Sequence, residues 1–169
     1  MPPETGDDRS NNKDLQTLLS LLSDQDKAVR AGTMHGLVTI GKPAVPACIA
    51  LLQNDDWKVR YRAAEALGLI GDGEAYAPLI AALEDGKDHV RYMAAKGLGL
   101  LGDSRAVARL GLMQRDENEF VRRSAARSLG RIGGDEAVRA LRAALEDEGT
   151  DGVRAAILEA LRDIKADRD

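Results

Sequence analysis

The stretch at residues 59–72 has the sequence VRYRAAEALGLIGD, and the chain repeats it. Close copies begin at Val90 (VRYMAAKGLGLLGD) and Val121 (VRRSAARSLGRIGGD), and weaker copies begin at Val29 and Val153. The arginine of each copy follows the previous one by 30, 31, 31 and 32 residues: Arg30, Arg60, Arg91, Arg122 and Arg154. A nearly constant period of this length is typical of stacked structural units, so the sequence predicts a repeat architecture.

Each copy alternates with a shorter apolar segment, and both kinds of segment have helical spacing. Glycine follows four of the longer segments, at Gly41, Gly71, Gly102 and Gly133, where a residue at positive φ closes the last helical turn. This alternation predicts five helical hairpins in a single domain at residues 13–166. Their approximate bounds are 14–41, 42–72, 73–103, 104–134 and 135–166. Residues 1–12 are polar after Met1 and are predicted to form a disordered tail.

Composition favours an all-α fold. The 169 residues are 44% hydrophobic and 31% charged but only 3% aromatic, so the core consists mainly of Ala, Leu, Val and Ile. The single cysteine, Cys48, excludes an internal disulfide. The N-terminal residues lack the apolar run of a signal peptide, and no run approaches the roughly 18 apolar residues of a membrane span. We therefore expect a cytoplasmic protein without a membrane partner.

The periodicity also divides each longer helix into faces. Val59, Ala63 and Leu67 cluster on one face, which is expected to pack within the hairpin. Ala64 and Gly68 lie on a second face. An interior helical glycine costs about 1 kcal/mol relative to alanine, yet glycine recurs at the equivalent positions Gly99 and Gly130. We infer that neighbouring units approach each other closely along this face.

An acid in the turn, followed by VR, AA, LG and IGD, recurs at residues 14–165 and resembles the short HEAT-like repeats first associated with phycobilisome lyases. This resemblance implies a right-handed α-solenoid whose longer helices line the concave side. It also implies a ladder in which turn acids pair with the repeat arginines. Candidate acids stand six residues before an arginine: Asp24, Asp85 and Asp116 precede Arg30, Arg91 and Arg122, while Asn54 and Glu148 occupy the equivalent places before Arg60 and Arg154.

A third face of the central longer helices is predicted to line the concave groove and to bind the partner. It comprises Lys58, Tyr61, Arg62, Glu65, Leu69, His89, Tyr92, Met93, Lys96, Leu100, Phe120, Arg123, Arg127 and Arg131. Six of these residues are cations and one, Glu65, is an anion, so the local balance is +5 in a protein of net charge −4. Tyrosine and arginine often dominate binding energy at interfaces.

This pattern favours a non-enzymatic scaffold or adaptor that binds an acidic protein segment, with aromatic anchors and cationic steering. Nucleic acid is the alternative, because the same cations suit phosphates and the same rings suit stacking with bases. A lyase-type subunit that handles a bilin or another cofactor is a third hypothesis, implied by the resemblance alone.

Catalysis has little support in the sequence. Cys48 lies in the apolar run ACIALL and is expected to be buried. His35 and His89 are too few and too far apart for an evident metal site. Deoxyhypusine hydroxylase, an iron enzyme of similar architecture, is recognised by His-Glu pairs, whereas Gly36 and Val90 follow the two histidines here. We therefore predict no catalytic residue, no metal and no cofactor.

Overall fold

The computed structural model describes residues 14–166, and α-helices alternate with short turns along this whole range. Helix α1 spans residues 14–20. The other helices are α2 (Lys27–Ile40), α3 (Val45–Leu51), α4 (Trp57–Ile70), α5 (Tyr76–Ala82), α6 (Asp88–Leu101), α7 (Val107–Leu112), α8 (Glu119–Ile132), α9 (Gly134–Asp147) and α10 (Asp151–Ala166). Short 3₁₀ turns precede α3, α5 and α7, at Lys42–Ala44, Gly73–Ala75 and Ser104–Ala106, and a fourth follows α7 at Met113–Arg115.

Local sequence signals set the ends of the longer helices. Asp56 caps the start of α4, because its side chain accepts the backbone N–H of Lys58 at 2.9 Å. Gly71 and Gly102 follow α4 and α6 in the left-handed conformation, with φ of 73° and 71°. Gly41 and Gly133 also have positive φ. The predicted glycine helix ends are therefore confirmed.

The helices form an α-solenoid, as predicted. Helices α4, α6, α8 and α10 pack side by side in one layer, and each also packs against the outer helix that precedes it. The first hairpin, α1 with α2, begins at the first described residue, so the count of five hairpins and the domain limits stay predictions. The predicted tail at residues 1–12 lies outside the described residues.

The core is one continuous layer of small and branched side chains. Leu37, Leu67, Leu98 and Leu129 occupy the same place in successive long helices, and all are fully buried. The outer helices contribute a matching row of fully buried leucines: Leu79, Leu110 and Leu141. Because each unit buries its apolar face against its neighbours, the units stabilise one another.

Glycine allows the long helices to approach closely, as the sequence predicted. A Cβ added at Gly68 would lie 2.6 Å from the Cα of Gly97 in the next helix. One added at Gly99 would lie 2.8 Å from the Cα of Ser128. Ser128 also joins the two helices, because its Oγ donates to the carbonyl of Ala95 at 2.8 Å. The interfaces α4–α6 and α6–α8 therefore depend on the absence of larger side chains.

The first junction is different. Helix α2 has Met34 and Val38 at the places that Ala64 and Gly68 hold in α4. It contacts α4 much less extensively than α4 contacts α6. A cavity of about 490 Å³ lies between α2 and α4, with Met34, Val38 and Leu69 among its lining residues. The larger side chains therefore accompany a wider separation.

Among residues 14–166, no single helix is long and apolar enough to cross a membrane. Helix α2 and the segment Lys42–Leu51, which meet at a 112° bend, reach the required length and apolar composition only when taken together.

Candidate functional site

The repeat arginines form a ladder along one edge of the long helices. Arg60 donates from Nε and Nη2 to the two carboxylate oxygens of Asp85 at 2.7 and 3.0 Å. Arg91 contacts Asp116 in the same way at 2.8 and 3.0 Å, and Arg122 contacts the carboxylate of Glu148. Bidentate pairs of this kind are strong and fix geometry. These arginines therefore have a structural role.

The ladder differs from the predicted pairing in one respect. Each carboxylate pairs with the arginine of the preceding unit, and not with the arginine six residues after it. That second arginine instead binds backbone: Arg91 Nη1 donates to the carbonyl of Asp85 at 3.0 Å. The Asp85 carboxylate also accepts the N–H of Lys87 at 2.8 Å. This bond holds the carboxylate within the turn before α6, where Arg60 can donate to it.

The ladder makes stability depend on pH in the acid range. Burial opposes ionisation of Asp85, but hydrogen bonds from Arg60 and from the Lys87 backbone outweigh it, so the pKa of Asp85 lies below its ordinary value. A lowered folded-state pKa stabilises the fold above the unfolded-state pKa of about 4, and this contribution is lost as the pH falls through the folded-state pKa.

We expect the free energy of unfolding of the wild-type chain to fall more steeply than that of Asp85→Asn below about pH 4, because only the wild type has a carboxylate to protonate there. Urea unfolding followed by circular dichroism at several pH values between neutral and acid measures both slopes. Parallel curves for the two proteins would show that the Asp85 pair is not linked to pH.

The predicted partner-binding residues lie along the exposed face of α4, α6 and α8, with one exception. Seven are exposed: Lys58, Leu69, His89, Lys96, Phe120, Arg127 and Arg131. Six are half-buried: Tyr61, Arg62, Glu65, Tyr92, Leu100 and Arg123. We call these thirteen residues the groove face. Leu69 and Phe120 are large apolar side chains with 45% and 50% of their surface exposed, which is compatible with partner contact.

Met93 is the exception, and its assignment to the groove face is wrong. It is only 1% exposed and belongs to the core. Ser124 stands at the equivalent place in α8; it is also buried, and its Oγ donates to the carbonyl of Tyr92 at 3.0 Å. The close approach of the long helices widens the buried face, so this position of the helix lies in the interface between units.

The groove face contains a small aromatic pocket of about 290 Å³. Its lining residues are Tyr61, Asp88, His89, Tyr92, Asn118, Phe120 and Arg123. The Arg123 guanidinium lies 5.0 Å from the centre of the Phe120 ring. Burial raises the pKa of the Tyr61 hydroxyl, and the nearby Glu65 carboxylate raises it further, so Tyr61 stays neutral. The pocket therefore offers ring faces and edges together with one cation, Arg123, and one carboxylate, Asp88.

Three residues around this pocket were missed from the sequence: Trp57, Asp88 and Asn118. They stand at or just before the first turn of α4, α6 and α8. The Trp57 ring centre lies 4.9 Å from that of His89, and Asn118 Nδ2 donates to Asp88 Oδ2 at 2.6 Å. Trp57 is the single tryptophan of the chain, and this rarity is the sequence signal that could have indicated a role for it.

The charges of the groove face are largely unpaired. Arg62 is neutralised by Glu65, because its Nη1 lies 2.7 Å from that carboxylate. Within residues 14–166, the other five cations have no carboxylate at salt-bridge distance: Lys58, Lys96, Arg123, Arg127 and Arg131. The exposed acids Glu159 and Asp163 lie on α10, beyond the last of these cations. The centre of the face is therefore positive.

The cysteine is buried, and the histidines belong to no metal-binding group among the described residues. Cys48 is fully buried, as predicted, and burial raises the pKa of its thiol to about 11, so it is not a thiolate at neutral pH. The part of the chain that the structure describes contains no group of three or more His, Cys, Asp or Glu residues that could hold a metal ion.

Comparison with known families identifies the repeats. A family model for HEAT repeats matches residues 15–91 and 76–162. The chain belongs to the HEAT-repeat family. No curated protein matches the sequence significantly.

Solved HEAT-like structures share the fold at low sequence identity. A structure of the complex of CpcE and CpcF of phycocyanin lyase from Nostoc sp. PCC7120 matches with a TM-score of 0.81 and 24% identity, covering 88% of this chain and 98% of that one. Kap95p bound to RanGDP matches with a TM-score of 0.72 and 17% identity, over 97% of this chain and 26% of that one. Human deoxyhypusine hydroxylase matches with a TM-score of 0.51 and 16% identity, over 95% of this chain and 99% of that one.

Proposed function

We propose that this HEAT-repeat protein is a non-enzymatic scaffold or adaptor that binds an acidic segment of a partner protein along its groove face. One observation carries the proposal: five cations without a carboxylate partner lie on the same face as a pocket lined by Tyr61, Tyr92 and Phe120, and one of them, Arg123, lines that pocket. An acidic segment with an aromatic or apolar side chain complements both features.

The binding mode follows from the positions of these groups. Unpaired Lys and Arg side chains attract an acidic segment over about one Debye length, near 10 Å at 0.1 M salt. The half-buried Tyr61 and Tyr92 then provide flat, rigid surface that loses little conformational entropy on binding. Among the similar structures, both the CpcE–CpcF complex and Kap95p with RanGDP are protein complexes, which supports the choice of a protein partner.

Affinity capture from lysate of the native host tests the proposal. Wild-type bait, Arg127→Glu bait and a matched charge reversal, Arg139→Glu on the exposed side of α9, are compared by quantitative mass spectrometry. We expect a partner that wild type and Arg139→Glu retain and Arg127→Glu loses. A partner retained equally by all three baits would contradict binding at the groove face.

Once a partner is in hand, Tyr92→Ala and Arg127→Ala are each expected to weaken binding by about 1 to 3 kcal/mol, roughly 5- to 150-fold, because central tyrosine and arginine residues are frequent hot spots. Calorimetry gives the dissociation constants. Circular dichroism checks that both variants keep the helical content of the wild type, and Arg139→Ala serves as the control. Unchanged affinity in both variants would remove these two residues from the binding site.

Nucleic acid is the second candidate, because five unpaired cations on the same face as three aromatic rings also suit phosphates and stacked bases. Fluorescence anisotropy with single- and double-stranded oligonucleotides at increasing salt distinguishes the two. Tight binding with a steep log–log salt slope that Arg127→Glu reduces would favour nucleic acid. Absence of binding at physiological salt would remove this candidate.

A cofactor-handling role is the third candidate, supported only by the fold likeness to the phycocyanin lyase complex. Purification after incubation with a bilin, followed by visible absorbance, tests it. Stoichiometric chromophore would replace the scaffold proposal with a lyase-type one.

A further inference from the structure

Among the junctions between neighbouring units of residues 14–166, one rung of the arginine ladder has no acid. Arg60, Arg91 and Arg122 each direct Nε and Nη2 to a carboxylate in the following turn. Arg30 stands at the same place in α2, but its hydrogen bonds run only from Nη1, to the carbonyls of Asp24 at 2.7 Å and Gln25 at 2.8 Å. Within residues 14–166, its Nε and Nη2 therefore have no hydrogen-bond acceptor.

The identity of residue 54 is one cause. Asn54 Oδ1 accepts the N–H of Asp56 at 2.9 Å, as Asp85 Oδ1 accepts that of Lys87 at 2.8 Å, so the two turns have the same local structure. The second polar atom of Asp85 is an oxygen, which accepts from Arg60 Nε. In Asn54 that atom is an amide nitrogen, which donates and cannot accept. The amide nitrogen therefore removes the bond from Nε, and the wider separation of α2 from α4 accompanies the loss of the bond from Nη2, which Oδ1 could still accept.

The empty place is accessible because α2 and α4 stand apart. Arg30 and Arg62 both line two cavities there, of about 490 and 590 Å³. Met34, Val38 and Leu69 give the first cavity an apolar wall, and Trp57 and Tyr61 line the second. Each cavity also has one lysine and one acid in its lining, Lys27 and Glu65 in the first and Lys58 and Asp24 in the second. An acidic group from outside the chain can thus reach a guanidinium that the chain itself leaves half-satisfied.

We propose that Arg30 is a carboxylate-binding site in which an Asp or Glu side chain of the partner completes the missing rung. The three internal rungs define the geometry: a side-chain carboxylate that accepts from Nε and Nη2 together. The proposal rests on the proposed function only for the source of the carboxylate, since the cavities adjoin the groove face. The apolar wall beside Arg30 favours an acid that is followed by an apolar residue.

Two variants test the site from opposite sides. Arg30→Gln removes the guanidinium, and Asn54→Asp supplies an internal carboxylate that would occupy it. Both variants are therefore expected to bind acidic ligands about tenfold more weakly. Arg154→Gln is the matched control, because Arg154 also donates from Nη1 to two carbonyls, those of Leu145 and Glu148, but lines neither of the two cavities beside Arg30. Asn54→Asp is further expected to raise the melting temperature by closing the rung.

The probe is a random copolymer of glutamate and tyrosine, titrated at low salt and followed by the fluorescence of Trp57, the single tryptophan. Loss of affinity in Arg30→Gln and Asn54→Asp, but not in Arg154→Gln, supports the site. Wild-type affinity in both variants, or no copolymer binding by the wild type, overturns it. If Arg127→Glu alone abolishes binding, the proposed function stands and the Arg30 site fails; if the Arg30 and Asn54 variants alone abolish it, the reverse holds.

Discussion

Replacing Gly68 with alanine is expected to lower the free energy of unfolding by about 2 kcal/mol or more. The new methyl carbon would lie 2.6 Å from the Cα of Gly97, and this backbone atom of α6 cannot rotate away as a side chain could. Helices α4 and α6 would therefore have to separate, and the contacts on both sides of the glycine would weaken. Urea unfolding followed by circular dichroism gives the difference directly.

Gly32→Ala is the matched control, because Gly32 lies inside α2 and a methyl group there would meet no atom within 4 Å. The same substitution is then expected to stabilise the protein by about 0.5 to 1 kcal/mol, since glycine is the poorer helix former. If Gly68→Ala were as stable as Gly32→Ala, close helix approach could not be the reason for glycine at residue 68.

Asp116→Asn is expected to lower the free energy of unfolding by about 3 kcal/mol, the usual cost of breaking a buried ion pair from one side. Asn can still accept the N–H of Asn118, as Asp116 Oδ1 does at 2.9 Å, so the turn is kept. Its amide nitrogen would face Arg91, whose side chain is only 12% exposed and would lose its carboxylate. The variant thus introduces at this junction the arrangement that Asn54 has at the first.

Asp103→Asn provides the comparison, because Asp103 pairs with the exposed Arg105 and also accepts the N–H of that residue. An exposed pair contributes little, so this variant should melt close to the wild-type temperature. Thermal unfolding of both variants in the same buffer compares the two positions. Equal losses in the two variants would mean that burial of the ladder does not matter.

The fold could be predicted because its determinants are local and repeated. Helical spacing around Leu67 and a glycine such as Gly71 at a helix end need no knowledge of distant contacts. To assign each acid of the ladder to its arginine, the stacking of the units must be known. In a periodic chain, Asp85 stands six residues before one arginine and 25 after another, and the sequence treats both as equivalent neighbours. Only the stacking of the units distinguishes them.

The groove face was predicted less accurately at its edges. Lys96 and Arg127 are exposed because they lie opposite the buried faces on any helical wheel. Met93 is buried because the distance between α6 and α8 decides how wide the buried face is, and that distance depends on glycines elsewhere. Trp57 begins its helix, so a wheel centred on the helix interior did not include it.

The wide junction between α2 and α4 also determines where the arc can bend. Units of a solenoid touch only their neighbours, so the curvature of the whole is the sum of independent angles, one at each junction. Glycine contacts and a filled rung fix the angle between α4 and α6, whereas neither restrains the angle between α2 and α4. Any change in the curvature of the solenoid is therefore expected to occur first at the junction between α2 and α4.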